Sequence, residues 1–186
     1  MKTYLKICKR ILFFIVLSIG NFQPDASANV TLPAIFSDHM VLQSDIKVPV
    51  WGWADPGEQV TVKIVDQTKS VRADRNGKWR VDLDKLKSGG PFTLTVEGKD
   101  THSINDVLVG EVWLCSGQSN MRMRVSEVTN AKQEEAAADF PQIRMFMGFA
   151  KPSTTIEEKG DGRWEVCDST SIKEFSVTAY FFGREI

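Results

Sequence analysis

The chain has 186 residues, of which 42% are hydrophobic and 25% are charged, with 23 basic and 24 acidic side chains and a net charge of −1. This composition is ordinary for a globular protein and excludes a disordered chain, a collagen-like repeat and a coiled coil. The near-neutral charge argues against nucleic acid as a partner, because phosphate binding needs a clustered basic surface.

Residues 1–28 have the pattern of an export signal. Basic side chains precede a short apolar run at residues 11–19, and Ala26-Ser27-Ala28 forms a cleavage pattern of small residues. The apolar run is far shorter than the ~20 residues of a membrane-spanning helix. We therefore expect cleavage near Ala28, no stable membrane span, and a periplasmic or secreted protein. An uncleaved membrane anchor is the alternative.

Residues 29–106 predict a β-sandwich of jelly-roll or immunoglobulin-like type. Short β-branched and aromatic runs alternate with turn residues, and residues 59–65 (QVTVKIV) alternate strictly between apolar and polar side chains. Residues 55–57 (DPG) mark one turn, and the Asn76-Gly77 pair predicts a hairpin between the strands on either side. Several short strands at this spacing are typical of an antiparallel sandwich.

Two aromatic residues in the strand predicted at residues 48–53, Trp51 and Trp53, share one face of that strand. Such rings can stack on a sugar, so both are candidate glycan contacts; the alternative, which we favour, is that they pack in the core. His39 is interpreted as a structural histidine and His102 as a solvated one. The sequence has no cluster with the spacing of a metal site and nothing that indicates a cofactor.

The rest of the chain, residues 107–186, changes to the pattern of an α/β fold. The runs at residues 107–109 and 112–115 are apolar without alternation, as expected for strands buried on both faces of a parallel sheet. A helix is predicted at residues 131–138, a strand at residues 143–147 and a further helix near the C-terminus. We therefore predict the start of a second domain at residue 107.

Two cysteines, Cys115 and Cys167, follow the predicted export signal. Cys115 lies in the apolar run at residues 112–115, so we expect its thiol to be buried. The two thiols could form a disulfide in an oxidising compartment, and the sequence leaves both arrangements open, with free thiols favoured.

Ser119 is the candidate nucleophile. It follows a predicted buried strand in the sequence Gly117-Gln118-Ser119-Asn120, where a sharp turn would lift the hydroxyl out of the sheet edge and backbone N–H groups could stabilise an oxyanion. Met121 stands where the Gly-x-Ser-x-Gly elbow of α/β-hydrolases has its second glycine. A lone Gly-x-Ser is usually an ordinary turn, so the surrounding sequence decides the interpretation.

The sequence EVWLCSGQSNM at residues 111–121 resembles the first conserved block of the sialate O-acetylesterase family, a branch of the SGNH (GDSL-like) hydrolases. Residues 32–43 (LPAIFSDHMVLQ) and 50–57 (VWGWADPG) resemble the opening segment and the β-sandwich of that family. Residues 175–176 (FS) and 180–185 (YFFGRE) resemble a later helix. The resemblance covers most of the chain after the export signal.

The resemblance implies acyl transfer, in which Ser119 Oγ attacks the acetyl ester of a sugar and the Ser119 N–H donates to the oxyanion. Gly117, Gln118 and Asn120 match the motif, and we assign them to shaping the turn. The implied substrate is an O-acetylated sugar or glycan, with sialic acid first and acetylated plant polysaccharide second. No metal or cofactor is implied.

The chain departs from the family at the catalytic base. The family's histidine, in an Asp-x-x-His-type motif near the end of the hydrolase domain, has no counterpart here. We therefore expect residues 1–186 to be the N-terminal part of a longer enzyme, weakly active or inactive alone, because a serine without its base keeps little activity. The alternative is a non-catalytic, exported β-sandwich module that binds glycan or a partner protein, with Trp51 and Trp53 carrying the binding.

Overall fold

The computed structural model describes residues 29–148 and 153–186, so the predicted export signal lies outside the described residues. The strands are β1 (Val41–Gln43), β2 (Val48–Trp53), β3 (Gln59–Ile64), β4 (Gln67–Arg72), β5 (Lys78–Leu83), β6 (Gly89–Glu97), β7 (Thr101–Gly110), β8 (Asp139–Gly148) and β9 (Gly162–Asp168). The helices are α1 (Ser119–Arg122), α2 (Ala131–Ala137) and α3 (Val177–Glu185), with 3₁₀ turns at Val125–Glu127 and Ser171–Glu174. None of the helices in these ranges has the length and apolar content to cross a bilayer.

The first part of the chain forms a five-stranded sheet in the order β1-β7-β6-β3-β4 and a two-stranded sheet of β2 and β5. The pairing is antiparallel except between β1 and β7, which are parallel. Alternate side chains of both sheets contribute to one hydrophobic core, as the period of two along each strand requires. In β3 these are Val60, Val62 and Ile64, and in β5 they are Trp79, Val81 and Leu83.

The Asn76-Gly77 pair forms a tight turn but does not join two paired strands. Gly77 has a φ of 74°, and the Asp74 carboxylate accepts hydrogen bonds from the N–H groups of Asn76 and Lys78 at 2.7 and 2.9 Å. The flanking strands β4 and β5 lie in different sheets, because β4 pairs with β3 and β5 pairs with β2. The predicted hairpin is therefore wrong, although the turn itself is present.

Strand β7 runs through the domain boundary predicted at residue 107. Residues 107–109 pair with β1, and Val107 and Val109 are buried whereas Leu108 is half-buried. This run is therefore an alternating strand of the five-stranded sheet, not a strand buried on both faces of a parallel sheet. The division of the chain into two domains stays a prediction.

The second predicted strand, at residues 112–115, is absent from the described structure. These residues have no regular secondary structure and are exposed, with Leu114 at 93% of its full exposure. The predicted helix and the next strand are present as α2 and β8. However, β8 pairs antiparallel with β9, so the described residues contain no parallel sheet after β7. The described chain consists mostly of strands, with few helices.

A second hydrophobic cluster lies beneath the β8–β9 hairpin and α3. It consists of Val125, Ala138, Met145, Cys167, Ile172, Val177 and Tyr180. The hairpin is also attached to the first part of the chain, since Trp164 Nε1 donates to the Ile35 carbonyl at 2.8 Å and Ala34 N–H donates to the Lys159 carbonyl at 3.0 Å. The elements that form the second hydrophobic cluster are therefore hydrogen-bonded to those that form the first.

The contact between β8 and β7 includes an ion pair made by a buried arginine, Arg144. The Arg144 side chain on β8 is 5% exposed, and its guanidinium donates to both carboxylate oxygens of Asp106 on β7. His39 Nδ1 lies 2.7 Å from the same carboxylate. The hydrogen bonds from Arg144, and then from His39, hold the pKa of Asp106 at about 2, although burial acts in the opposite direction.

A β-bulge directs Asp106 toward these partners. Phe92 pairs with Val107 and Leu94 pairs with Ile104, so two residues of β7, Asn105 and Asp106, lie opposite Thr93 alone. Asp106 has a φ of 54°, a conformation that aspartate adopts more readily than most residues. Bulges commonly change the direction of one side chain in this way, and here the carboxylate turns to Arg144 and His39.

We expect Asp106→Asn to lower the free energy of unfolding by about 2 kcal/mol, because it leaves the Arg144 charge buried without a counter-charge. The matched control is Asp82→Asn, which breaks the Arg80–Asp82 pair, whose side chains are 63% and 49% exposed. Exposed pairs contribute little, so the control should change stability by less than ~0.5 kcal/mol. Urea unfolding at neutral pH measures both variants, and equal losses would contradict the assignment.

The stability difference between wild type and Asp106→Asn should also shrink in acid. The pKa of Asp106 falls from its ordinary 3.8 to about 2 on folding, so the folded state favours the ionised carboxylate. The resulting stabilisation is complete above the unfolded-state pKa and is lost as the pH falls through the folded-state pKa. Urea midpoints of the two proteins should therefore converge between about pH 5 and pH 2. A constant difference over that interval would show that Asp106 does not carry the effect.

Candidate active site

The segment that carries Ser119, residues 111–122, leaves the five-stranded sheet at the end of β7. We call it the serine segment. The Gln43 side chain on β1 holds its beginning: Oε1 accepts the Val112 N–H at 2.8 Å, and Nε2 donates to Glu111 Oε2 at 3.2 Å. These bonds extend the β1–β7 pairing beyond Gly110 and set the direction in which the segment leaves the sheet.

Ser119 is the first residue of α1 and is exposed. The Gln118 carbonyl accepts the Met121 N–H at 3.0 Å, which closes the turn around Ser119. A Cβ atom on Gly117 would lie 2.8 Å from Met121 Cγ, so the turn favours glycine there. No described residue forms a hydrogen bond with the Ser119 hydroxyl, which therefore faces solvent.

Helix α3 contacts the serine segment on both sides of Ser119. Thr178 Oγ1 donates to the Asn120 carbonyl at 3.2 Å. The Trp113 and Phe182 rings pack edge to face with their centroids 5.2 Å apart. Thr178 and Phe182 are four residues apart and so share one face of the helix. Sequence reasoning predicted the helix but not these contacts, because neither side chain belongs to a recognisable motif.

Both histidines lie beside aspartates. His39 contacts Asp106, as expected for a structural histidine, whereas His102 Nε2 lies 2.9 Å from Asp100 Oδ2 and is not simply solvated as predicted. Within the described ranges, neither histidine forms a hydrogen bond with Ser119, and no group of three His, Cys, Asp or Glu residues could hold a metal ion. The described residues thus place neither histidine in hydrogen-bond contact with the candidate nucleophile.

Trp51 and Trp53 lie on β2 and already have protein neighbours. Trp51 packs edge to face on Phe36 at 4.7 Å, and the Lys159 ammonium lies 5.5 Å from the Trp53 ring centroid. Trp51 also lines an open apolar groove of about 150 Å³ that extends to Val112. The role of both tryptophans as glycan contacts stays a prediction.

No protein-family model matches the chain, but comparison with known proteins identifies relatives of it. Sialate O-acetylesterase of Homo sapiens is 39% identical over 188 aligned residues, covering 87% of this chain, and that of Mus musculus is 35% identical over 146 residues, covering 71%. The crystal structure of a carbohydrate acetylesterase from Xanthomonas citri matches 84% of the chain at 34% identity, with a TM-score of 0.76. The chain belongs to the sialate O-acetylesterase family.

The chain spans about a third of the length of these relatives: 35% of the human protein, 27% of the mouse protein and 37% of the Xanthomonas citri structure. The sequence identity to these relatives confirms the family resemblance found in the motif at residues 111–121. In this chain of the sialate O-acetylesterase family, the serine motif forms one exposed turn held by β1 and α3.

The two cysteines of this family member are free thiols in different surroundings. Cys115 is exposed and Cys167 is buried. The expectation that Cys115 would be buried is wrong, because residues 112–115 have no strand partner among the described residues. Burial raises the pKa of the Cys167 thiol to about 11.

Alkylation should therefore separate the two thiols. We expect iodoacetamide near pH 8 to label Cys115 in the folded protein and to leave Cys167 almost unmodified, because the thiolate is the reactive form and the Cys167 thiol is both protonated and covered. Peptide mapping by mass spectrometry measures each site separately. Urea should make Cys167 reactive, and Cys115→Ser should leave the slow rate at Cys167 unchanged. Equal labelling of the folded protein at both sites would contradict the assigned burial.

Proposed function

We propose that the whole protein is a carbohydrate O-acetylesterase and that Ser119 is its nucleophile. The observation that carries the proposal is the exposed Ser119 at the start of α1, in the motif through which the chain resembles its family. Relatives named as sialate O-acetylesterase and carbohydrate acetylesterase support the reaction class.

The proposed reaction is an acyl transfer in two steps. Ser119 Oγ bonds to the acetyl carbonyl carbon while its proton passes to a general base, and the Ser119 N–H donates to the oxyanion. The bond from the acetyl carbon to the sugar oxygen then breaks, and the base returns the proton to that oxygen. Water attacks the acetyl-serine in the same way and releases acetate and the free serine hydroxyl.

The general base must come from outside the described residues. His39 lies beside Asp106, which also accepts hydrogen bonds from Arg144, and His102 lies beside Asp100. Neither forms a hydrogen bond with Ser119. The family resemblance assigns this role to a histidine in an Asp-x-x-His-type motif.

The proposed substrate is an acetyl ester on a sugar hydroxyl. The names of the mammalian relatives favour O-acetylated sialic acid, and the name of the Xanthomonas citri enzyme favours acetylated carbohydrate more broadly. We place sialic acid first and acetylated plant polysaccharide second. Comparison of acetate release from both substrates decides between them.

We further propose a jelly-roll or immunoglobulin-like sandwich followed by the start of an SGNH-type α/β domain, in a protein exported after cleavage near Ala28. The single core shared by the two sheets supports the sandwich, and the serine motif at residues 111–121 supports the second domain. The basic and apolar pattern of residues 1–28 supports export. N-terminal sequencing of the native protein tests the cleavage site.

Replacement of the nucleophile provides the direct test. We expect Ser119→Ala to reduce acetate release by the whole protein about 10³-fold or more, since loss of the nucleophile removes the covalent pathway. The matched control is Ser116→Ala, an exposed serine in the same segment, which should keep wild-type turnover. Circular dichroism confirms that both variants fold.

Unchanged turnover in Ser119→Ala would refute this nucleophile. A wild-type protein that binds acetylated glycan but releases no acetate would instead support the non-catalytic binding module. In that case Trp51→Ala or Trp53→Ala should weaken glycan retention while Ser119→Ala leaves it unchanged.

A further inference from the structure

One peptide unit next to Ser119 is held at both ends. The Asn120 carbonyl accepts the Thr178 hydroxyl at 3.2 Å, and the N–H of the same unit, which belongs to Met121, donates to the Gln118 carbonyl at 3.0 Å. A peptide unit is planar, so hydrogen bonds at both of its polar atoms fix its orientation. Ser119 lies inside the turn that the bond from Met121 N–H to the Gln118 carbonyl closes.

Helix α3 is a firm support for the Thr178 hydroxyl. Its residues Val177, Ala179 and Tyr180 are buried, and the Ser176 hydroxyl caps its N-terminus by accepting the Ala179 N–H at 3.4 Å. Thr178 itself is exposed. Its hydroxyl therefore contacts the serine segment without taking part in the hydrophobic cluster that holds the helix.

The same face of α3 makes a second contact with the serine segment, on the N-terminal side of Ser119. Phe182 packs on Trp113, so the serine segment is held at Trp113 and at Asn120 while the Ser119 hydroxyl between them stays exposed. Arrangements of this kind suit a nucleophile, because its backbone must be fixed while its hydroxyl must meet a substrate.

We propose that Thr178 is a positioning residue for Ser119, a role that rests on the proposed function of Ser119. Its hydroxyl sets the orientation of the peptide unit between Asn120 and Met121. Through that unit it sets the direction of the Ser119 hydroxyl and of the N–H that stabilises the oxyanion. Thr178 acts through the backbone and has no assigned contact with substrate.

A pair of substitutions in the whole protein separates the hydroxyl from the rest of the side chain. Thr178→Val keeps the shape and removes the donor, whereas Thr178→Ser keeps the donor. We expect Thr178→Val to lower kcat about tenfold, the scale of one hydrogen bond that positions a reacting group, with KM nearly unchanged. Thr178→Ser should restore kcat to within about twofold of wild type.

Assays of wild type and Ser119→Ala accompany the pair, and thermal unfolding shows that every variant folds. If Ser119→Ala is inactive while Thr178→Val matches wild type, the positioning role is overturned and the proposed function stands. The positioning role is equally overturned if Thr178→Val and Thr178→Ser lose kcat to the same extent, because the hydroxyl is then not the cause. If Ser119→Ala keeps wild-type turnover, the proposed function is wrong and the role of Thr178 falls with it.

Discussion

The charge of Arg144 is almost wholly removed from water, and the position of the β8–β9 hairpin on the five-stranded sheet depends on how Asp106 neutralises it. An unpaired charge in such surroundings would be strongly unfavourable, so the pair specifies where β8 can lie. The next residue, Met145, points into the second hydrophobic cluster. Because side chains alternate along a strand, β8 presents the ion pair to the first sheet and an apolar side chain to the second cluster.

The serine segment is placed by both of these parts of the molecule. Gln43 on β1 holds its beginning, and α3, which contributes Val177 and Tyr180 to the second cluster, holds its end. The contact between β8 and β7 therefore helps to place the Ser119 turn relative to the sheet. Arg144 itself contacts neither Gln43 nor α3 in these attachments. The orientation of the turn relative to the sheet follows from two separate attachments, and the side chains that make them lie outside the serine motif.

Local patterns predict the strands of this fold well, whereas features that depend on distant partners escape them. Strands β2 and β3 lie where the sequence predicts them, at residues 48–53 and 59–65. The hairpin between β3 and β4 has no sequence signal, because its turn places Val65, a β-branched residue, at a φ of 54° where glycine or asparagine is usual. The apolar run at residues 112–115 indicates burial, but burial requires a partner that no local pattern identifies. The bulge at Asp106 likewise depends on a distant partner, because it exists only where Asn105 and Asp106 lie opposite the single residue Thr93.

The same distinction applies to the site. Gly117, Gln118, Ser119 and Asn120 are consecutive in the chain, so the motif that makes Ser119 a candidate nucleophile can be recognised from neighbouring residues alone. The contacts of Gln43 and Thr178 join residues that are 69 and 58 positions apart in the chain, and a glutamine on a strand or a threonine on a helix indicates no such contact. A general base is non-local in the same sense, because only the fold brings its imidazole to the serine. A motif can therefore indicate a candidate nucleophile, while the groups that would orient and activate it have to be found in three dimensions.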